Sequence, residues 1–315
     1  MKNKILEEMA EKNWIIPLDE IDLRKNYGSF LKIGIVSTTI GYFINRNNEA
    51  TEITSEEFFG ENRVVVPASK WRGAERSYIL SVLRKGGQIP AEYSRNMVRK
   101  KEYLQNPASM LWGDSSTGKS DEAAGISSRS FYDWAYSYES VADISLNLQH
   151  NSLGEDGSIL KDDEGKVSSS ALHNVNYIRP GAQFVRYVTL ENVSPEMLIM
   201  QLMALLGTTR YGARTSVLGD NMKNELVAIA GSKGERPVSS YSSMVKAWNS
   251  DTYDPSGLIQ DTMKENYREV MVGEDLTGLS SLTAEIMSSA EKIKSTFDPL
   301  QTKIQDQWKE FFEKK

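Results

Sequence analysis

The 315-residue sequence contains no cysteine and only two histidines, His150 and His173. Disulfides and thiolate metal sites are therefore excluded, and two imidazoles so far apart in sequence predict neither a zinc site nor a general base. No apolar run reaches the roughly 18–20 residues that a membrane span needs; the longest lies at 197–206. The N-terminal segment mixes charges with apolar residues and has no signal-peptide core. We expect a soluble, cytoplasmic protein without a cofactor or a membrane partner.

Positive charge is outnumbered by negative charge overall but is concentrated in one stretch. The formal net charge is −6, yet residues 63–101 contain ten Lys or Arg and only two Glu, a local charge of +8. Acidic residues cluster in the segment 155–164, and they outnumber basic residues in the last sixty residues. A basic stretch in an acidic protein is a typical electrostatic footprint of a nucleic-acid-binding surface.

Apolar periodicity predicts an α+β fold with a mainly antiparallel sheet, followed after residue 240 by a helical segment. The polar, acidic stretch 151–176 is expected to be a projecting hairpin or a mobile loop, and 45–62 a polar loop. Strands are predicted at 30–44, 64–66, 128–138, 184–192 and 225–231. Helices are predicted near the N-terminus, at 70–84 with Ser69 as N-cap, at 91–104, at 195–206 with Ser194 as N-cap, and at the C-terminus.

The segment GDSSTGKS, Gly113–Ser120, matches the G-x-x-x-x-G-K-[ST] pattern of phosphate-binding loops. In a P-loop NTPase a buried strand precedes this pattern and a helix follows it directly. Here SMLW precedes the segment, and DEAAGISS, with an early glycine, follows it. The local context is therefore unfavourable, but a P-loop NTPase that uses Gly113–Ser120 remains one alternative function.

The segment VVVPASKWRGAERS places four polar or basic residues in the first turns of a predicted helix: Ser69, Lys70, Arg72 and Arg76. Cations at a helix N-terminus oppose the helix macrodipole unless an anion is bound nearby. Free N–H groups at the same end bind phosphate well. The pattern therefore indicates an anionic ligand.

The segment LLGTTRYGARTS carries Arg210, Tyr211 and Arg214 on a glycine-interrupted turn. Glycines let a ligand approach the backbone, arginines bind phosphate, and a tyrosine ring can stack on a base. With the helix start, this turn favours single-stranded nucleic acid as the ligand. No catalytic set is evident; a metal-dependent target nuclease using the first-loop glutamates, Glu49, Glu52, Glu56 and Glu57, is the second alternative.

The order of the motifs resembles the CRISPR RAMP superfamily, across roughly residues 30–230. Within it, the chain is most similar to the crRNA-binding backbone subunit of Cascade-type effector complexes, above all the type I-D backbone family. Such relatives usually carry a cysteine cluster before the "F-G" turn; NPASMLWG has none, so a type IV or other variant backbone stays open. The segments that carry the resemblance are VVVPASKWRGAERS, SMLWGDSS, SSRSFYDWAYSYE, IRPGAQFVRYVTLEN and LMALLGTTRYGARTS.

The resemblance implies an RRM-like (ferredoxin-like) palm at 1–240, with a thumb hairpin inserted near 146–177 and a helical segment at 241–315 packed on the palm. It implies a non-catalytic subunit, since the first loop lacks the aspartate with which some relatives cleave RNA. Several copies would polymerise along one crRNA and present it to a target DNA or RNA strand, beside other CRISPR effector subunits. The implied RNA-binding residues are Ser69, Lys70, Arg72, Arg76, Lys119, Arg129, Arg210, Tyr211 and Arg214.

Overall fold

The computed structural model describes residues 3–45, 52–94, 100–116, 124–151, 161, 166, 172–248 and 253–312. Its strands are β1 (Phe30–Thr39), β2 (Ser55–Phe58), β3 (Glu61–Val66), β4 (Asp114–Ser115), β5 (Gly125–Ile126), β6 (Ser130–Tyr132), β7 (Ala135–Ser140), β8 (Ser145–Asn151), β9 (Leu172–Ile178), β10 (Gln183–Glu191) and β11 (Met222–Ser232). Its helices are α1 (Lys4–Glu11), α2 (Ala68–Gly86), α3 (Pro107–Trp112), α4 (Val141–Ile144), α5 (Pro195–Gly207), α6 (Thr215–Leu218), α7 (Ser240–Trp248), α8 (Pro255–Asn266), α9 (Glu274–Met287) and α10 (Ala290–Phe312), with a 3-10 turn at Lys101–Leu104.

The main sheet has the strand order β11-β1-β10-β7-β3-β2, and β6 also pairs with β10. Every pairing in it is antiparallel. β1 and β10 form the centre because their β-branched and aromatic residues suit strands that are buried on both faces. The predicted α+β class with a mainly antiparallel sheet is confirmed.

Helices cover both faces of this sheet. Along β10, Val188 and Leu190 belong to one apolar core, which α2, α5, α9 and α10 complete. Val185 and Tyr187 belong to a second core beneath α7 and α8. None of the helices in the described ranges is long and apolar enough to cross a bilayer.

The polar excursion begins and ends in a two-stranded ribbon. β8 pairs with β9 in an antiparallel register that runs from Ser145↔Ile178 to Asn151↔Leu172. His150 lies on β8, and its Nε2 shares a hydrogen bond of 2.7 Å with the Tyr177 hydroxyl on β9. Of the residues between the two strands, only 161 and 166 are described.

Three predictions of local structure are wrong. α2 begins at Ala68 with Pro67 as its N-cap, so Ser69 lies inside the first turn; the fixed φ of proline sets the start of this helix. The predicted acidic loop contains β2, which forms a hairpin with β3. The predicted strand 128–138 is split into β6 and β7, between which the N–H of Asp133 donates to the carbonyl of Tyr187 at 3.2 Å.

Two helix predictions have different outcomes. The predicted helix at 91–104 is replaced at its end by the 3-10 turn Lys101–Leu104, and residues 95–99 lie outside the described ranges. The N-cap of α5 is confirmed: the Ser194 hydroxyl accepts a hydrogen bond from the N–H of Met197, and Pro195 opens the helix. Proline is tolerated at that position because its missing N–H would have no partner there.

Candidate nucleic-acid interface

Two segments that are distant in sequence meet in one surface groove, which we call the basic groove. The first turns of α2 form one wall, and the glycine-containing turn between α5 and β11 forms the other. The groove has a volume of about 440 Å³. It is lined by Ile44, Ser69, Lys70, Gly73, Ala74, Arg210, Gly212, Ala213 and Thr215.

Lys70 lies half-buried in the wall of the basic groove. Its Nζ donates a hydrogen bond to Asn45 Oδ1 at 2.7 Å, and Asn45 in turn donates to the carbonyl of Val65 at 2.8 Å. Burial lowers the pKa of Lys70 from its ordinary value of 10.5, because the charged ammonium is partly withdrawn from water. A nearby anion would offset this loss of hydration.

Arg210 supplies the opposite cation. Its side chain is 65% exposed, and its Nε lies 3.6 Å from Asp220 Oδ1, whose side chain is 64% exposed. An ion pair this exposed is worth little, so Arg210 is available to another anion. Arg214 is also exposed and adopts a left-handed backbone conformation, with φ of +57°, immediately before α6.

The N-terminus of α2 has neither a side-chain cap nor an acidic residue in its first turn. Its positive end therefore faces the basic groove without a neutralising carboxylate from the helix itself. The two cations and the helix end point to an anion, and phosphate matches all three.

Gly212 is required by the shape of the turn. Its φ is +80°, and a Cβ on it would lie 2.4 Å from the Ile44 carbonyl oxygen and 2.6 Å from Phe43. Only glycine combines that backbone conformation with such close packing. The turn therefore lies directly against the chain that follows β1.

Asn221 holds the same turn from within. Its Oδ1 accepts the N–H of Tyr211 at 3.0 Å, and its Nδ2 donates to the carbonyl of Tyr211 at 2.8 Å. The side chain thus satisfies both backbone groups of one residue, as a paired strand would. Asn221 is fully buried, so water does not compete for these bonds.

A buried polar network lies beneath the basic groove and ties α2 to the sheet. Glu75 of α2 accepts from Arg186 Nη2 at 2.6 Å and from the Tyr211 hydroxyl at 2.9 Å. Asn224 Nδ2 donates to the same hydroxyl at 2.9 Å, and Arg186 Nη1 donates to Ser37 Oγ at 3.1 Å. These residues come from α2, β1, β10, β11 and the turn, so one network positions every element of the groove.

Tyr211 therefore does not have the exposed ring that stacking on a base requires. Its side chain is 2% exposed, and its ring packs edge-on against Trp71 at 5.0 Å. Desolvation and then the charge of Glu75 raise the pKa of Tyr211 well above 10, so the hydroxyl stays protonated and donates to Glu75. The prediction of base stacking is corrected to a positioning role.

Arg72 and Arg76 also point away from the basic groove. Arg76 is 6% exposed, and its Nη2 lies 2.7 Å from Asp114 Oδ2, which also accepts from Tyr93 Oη at 2.7 Å. Arg72 donates to the carbonyl of Trp112. A helix rotates by about 100° per residue, which places Lys70 and Arg72 about 200° apart around α2. The two arginines thus fasten the 112–114 turn to the helix.

Arg129 is likewise structural in this conformation. Its guanidinium donates to the carbonyl of Asn192 at 2.8 Å and to that of Leu23. Burial lowers the pKa of Arg129, because the charge is largely removed from water. The side chain joins the N-terminal segment to the end of β10 and lies apart from the groove-lining residues.

The segment Gly113–Ser120 has a different local structure from a P-loop. α3 precedes it, where a P-loop has a strand, and Asp114–Ser115 forms β4. Gly113 has φ of +67°, and a Cβ there would lie 2.7 Å from the backbone nitrogen of Ser128. Lys119 lies outside the described residues, so its predicted contact with phosphate stays a prediction.

The acidic first loop is described only in part. Glu49 lies outside the described residues, while Glu52, Glu56 and Glu57 are exposed. Glu56 accepts a hydrogen bond from the Tyr136 hydroxyl at 2.9 Å. Within the described ranges, no three His, Cys, Asp or Glu side chains come together as a metal-ion site would require.

Sequence reasoning missed the residues that support the basic groove. Two of them carried a signal: Arg186 is a lone charge inside the apolar strand β10, and Glu75 is the only acid in α2. A charge in a buried strand needs a buried partner. Asn45, Asn221 and Asn224 carried no signal, because asparagine is common in loops and at strand ends.

Comparisons with known proteins match this chain to CRISPR proteins. The sequence profile described as Csc2 Crispr matches residues 41–312. The crystal structure of Thermofilum pendens Csc2 aligns over 98% of each chain, with a TM-score of 0.62 and 13% identity. A chain of a structure described as "CRISPR RNA-guided surveillance complex, pre-nicking" aligns over 83% of this chain and 99% of its own, with a TM-score of 0.52 and 13% identity. A search of curated proteins gives no match.

Proposed function

The chain belongs to the Csc2 Crispr family, and from that premise we propose that it is a crRNA-binding backbone subunit of a Cascade-type effector complex. Several copies polymerise along one crRNA and present the guide for pairing with a target strand. Other effector subunits complete the assembly. Among such complexes, we assign the chain to type I-D, on the sequence motifs that follow α5.

The observation that carries this proposal is the convergence of two predicted phosphate-binding segments in the basic groove. Ser69 and Lys70 come from the start of α2, and Arg210 comes from a turn about 140 residues further along the chain. Neither segment alone would favour RNA over another anion. Together they form a surface groove lined by cations from both segments, into which a phosphodiester backbone is proposed to bind.

Binding in the basic groove relies on charge and shape rather than on base identity. Lys70 and Arg210 neutralise phosphates, and the positive end of α2 adds a partial charge. With Tyr211 buried, the described residues that line the groove offer no aromatic ring for a base. The chain therefore reads the RNA backbone and accepts guides of any sequence.

The arrangement of the palm supports the RRM-like assignment. The four strands β11, β1, β10 and β7 lie side by side in that order, with α2 and α5 on one face. We assign the ribbon of β8 and β9 as the base of the thumb that enters the guide–target duplex. The chain is proposed to be non-catalytic, so target cleavage belongs to another subunit.

The proposal is tested by measuring the binding of a labelled single-stranded RNA over a range of salt concentrations. Each phosphate contact on single-stranded nucleic acid contributes about −0.7 to the slope of log K against log salt. Replacing Lys70, Arg210 and Arg214 by Ala should therefore reduce the slope by about 2, since each residue contributes one contact in the proposed complex. RNAs of different sequence should lose affinity equally.

The matched control removes the same charge elsewhere, by replacing Lys264, Lys292 and Lys294, which are exposed on α8 and α10, with Ala. Its salt slope should stay close to that of the wild type. An equal slope in wild type and groove variant would remove the basic groove from the proposal. A slope that falls equally in the control would show that net charge alone attracts the RNA.

A further inference from the structure

A second groove lies at the outer edge of the sheet, and we call it the acidic aromatic groove. The β2–β3 hairpin, the end of β7, α4 and α7 surround it. Its volume is about 400 Å³. Its lining includes Phe58, Glu61, Arg63, Tyr138, Glu139, Asp143, Trp248 and Tyr253.

Large aromatic side chains are exposed around this groove. Trp248 is 45% exposed and Tyr253 is 59% exposed. Phe59, 49% exposed, stacks on Trp248 with ring centroids 5.4 Å apart and an interplanar angle of 22°. Phe59 occupies a hairpin turn with φ of +50°, a conformation that favours Gly, Asn or Asp. A cluster of exposed aromatic rings at a strained turn is typical of a surface that binds a partner.

Carboxylates give the same groove its charge. Glu61 pairs with Arg63 at 2.7 Å. Glu139 accepts from the N–H of Gln183 at 2.9 Å and from the Tyr253 hydroxyl, and Asp143 accepts from Ser140 Oγ at 2.6 Å. Those three donors are neutral, and no described cation forms an ion pair with Glu139 or Asp143. The lining side chains therefore leave a net negative charge beside the rings.

We propose that the acidic aromatic groove binds an arginine- or lysine-bearing segment of another protein subunit. Aromatic faces attract a cation, and arginine does so most often because its planar guanidinium also stacks on rings. Glu139 and Asp143 complement the charge of the same group. The inference rests on the proposed function only in that an effector complex supplies the neighbouring subunits.

Nucleic acid fits this groove poorly. Exposed rings can stack on bases, but a strand would bring its phosphates close to Glu139 and Asp143, and the like charges repel. The basic groove lies at the other end of β3, which spans six residues from Glu61 to Val66, about 20 Å at the rise of a strand. The chain can therefore hold RNA at one end of this strand and a protein segment at the other.

The test uses the full chain and a fluorescein-labelled peptide in which arginine alternates with glycine, with binding followed by anisotropy. A peptide with citrulline in place of arginine has the same shape without the charge. We expect the arginine peptide to bind at least tenfold more tightly than the citrulline peptide. Glu139→Gln with Asp143→Asn should weaken the arginine peptide at least tenfold, and Trp248→Ala should do the same.

The control variant, Glu285→Gln with Glu291→Gln, removes two exposed carboxylates from α9 and α10 and should change peptide affinity less than twofold. Thermal unfolding by circular dichroism verifies that each variant is folded. Equal weakening in the control, or equal binding of the two peptides, would overturn the proposal.

Three further results bear on the identity of the occupant. Displacement of the peptide by single-stranded RNA would overturn the proposal, because it would place nucleic acid in this groove. Self-association that is lost in the Trp248→Ala variant without any change in peptide affinity would also overturn it. RNA affinity that persists in the Glu139→Gln/Asp143→Asn and Trp248→Ala variants, together with peptide affinity that persists in the Lys70, Arg210 and Arg214 to Ala variant, would support two independent sites. Measuring both affinities in both sets of variants therefore distinguishes failure of the peptide-binding proposal from failure of the proposed RNA site.

Discussion

The exchange of Glu75 for Gln probes the buried pair that holds α2 to the sheet. Glu75 is completely buried, Arg186 is 2% exposed, and their charged atoms are 2.6 Å apart. Neutralising one member leaves the other as an uncompensated buried charge, which costs about 3–5 kcal/mol. Since Arg186 keeps its bonds to Ser37 and Asn224, we expect the lower value, about 3 kcal/mol.

This loss is measurable in two ways. For a 315-residue chain the entropy of unfolding is about 0.7 kcal/mol per kelvin, so about 3 kcal/mol lowers Tm by roughly 4–5 °C. Urea unfolding followed by tryptophan fluorescence reports the same loss as a free energy. RNA affinity should fall as well, because Glu75 no longer holds the Tyr211 hydroxyl as strongly.

Two further variants test the role of the buried pair. Adding Arg186→Met to Glu75→Gln should recover part of the loss, because the orphan charge disappears. Glu225→Gln breaks an exposed pair with Lys223 and should cost no more than about 1 kcal/mol. A Glu75→Gln protein as stable as the Glu225→Gln protein, or a double variant less stable than the single one, would refute the role of the buried pair.

The two remaining predictions concern the basic groove itself. Gly212→Ala should reduce both stability and RNA affinity, since its Cβ would meet the Ile44 carbonyl at 2.4 Å, whereas Gly87→Ala, at the left-handed C-cap of α2 with φ of +81° and no atom within 4 Å, should cost only about 1–2 kcal/mol and leave RNA binding intact. Equal effects of the two substitutions in urea unfolding and RNA anisotropy would contradict this. Burial lowers the pKa of Lys70 in the free chain, and a bound phosphate would raise it again. RNA binding should therefore take up protons, and the affinity should fall as pH rises from the lowered pKa of the free chain towards 10.5. Calorimetry in two buffers of different ionisation enthalpy measures this uptake, which should vanish in Lys70→Arg; uptake that persists would assign the proton to another group.

Local sequence patterns predicted most of the regular structure because those elements follow local rules. Ser194 and Pro195 marked the start of α5, and alternating apolar residues marked β10. The β2–β3 hairpin was missed because its first strand, SEEF, is too acidic to resemble a strand. It forms because β2 is at the edge of the sheet, where charged side chains remain in water.

The candidate site was predicted in part. The structure brings the predicted residues Lys70 and Arg210 together in the basic groove, and their role in binding RNA stays a prediction. Arg76 and Tyr211 come from the same two segments but point inward, and only the tertiary positions of Asp114 and Glu75 determine that. Residue type was enough to predict an anion-binding segment, whereas side-chain direction depended on partners far away in sequence.

The clamp formed by Asn221 has a consequence for how the chain meets its ligand. Both backbone groups of Tyr211 are already satisfied in the free chain, and Gly212 is fixed against the Ile44 carbonyl. The conformational entropy of this turn is therefore lost during folding and not during binding. In the proposed complex, association then resembles the docking of a flexible polymer onto a rigid template, and nearly all of the ordering falls on the RNA.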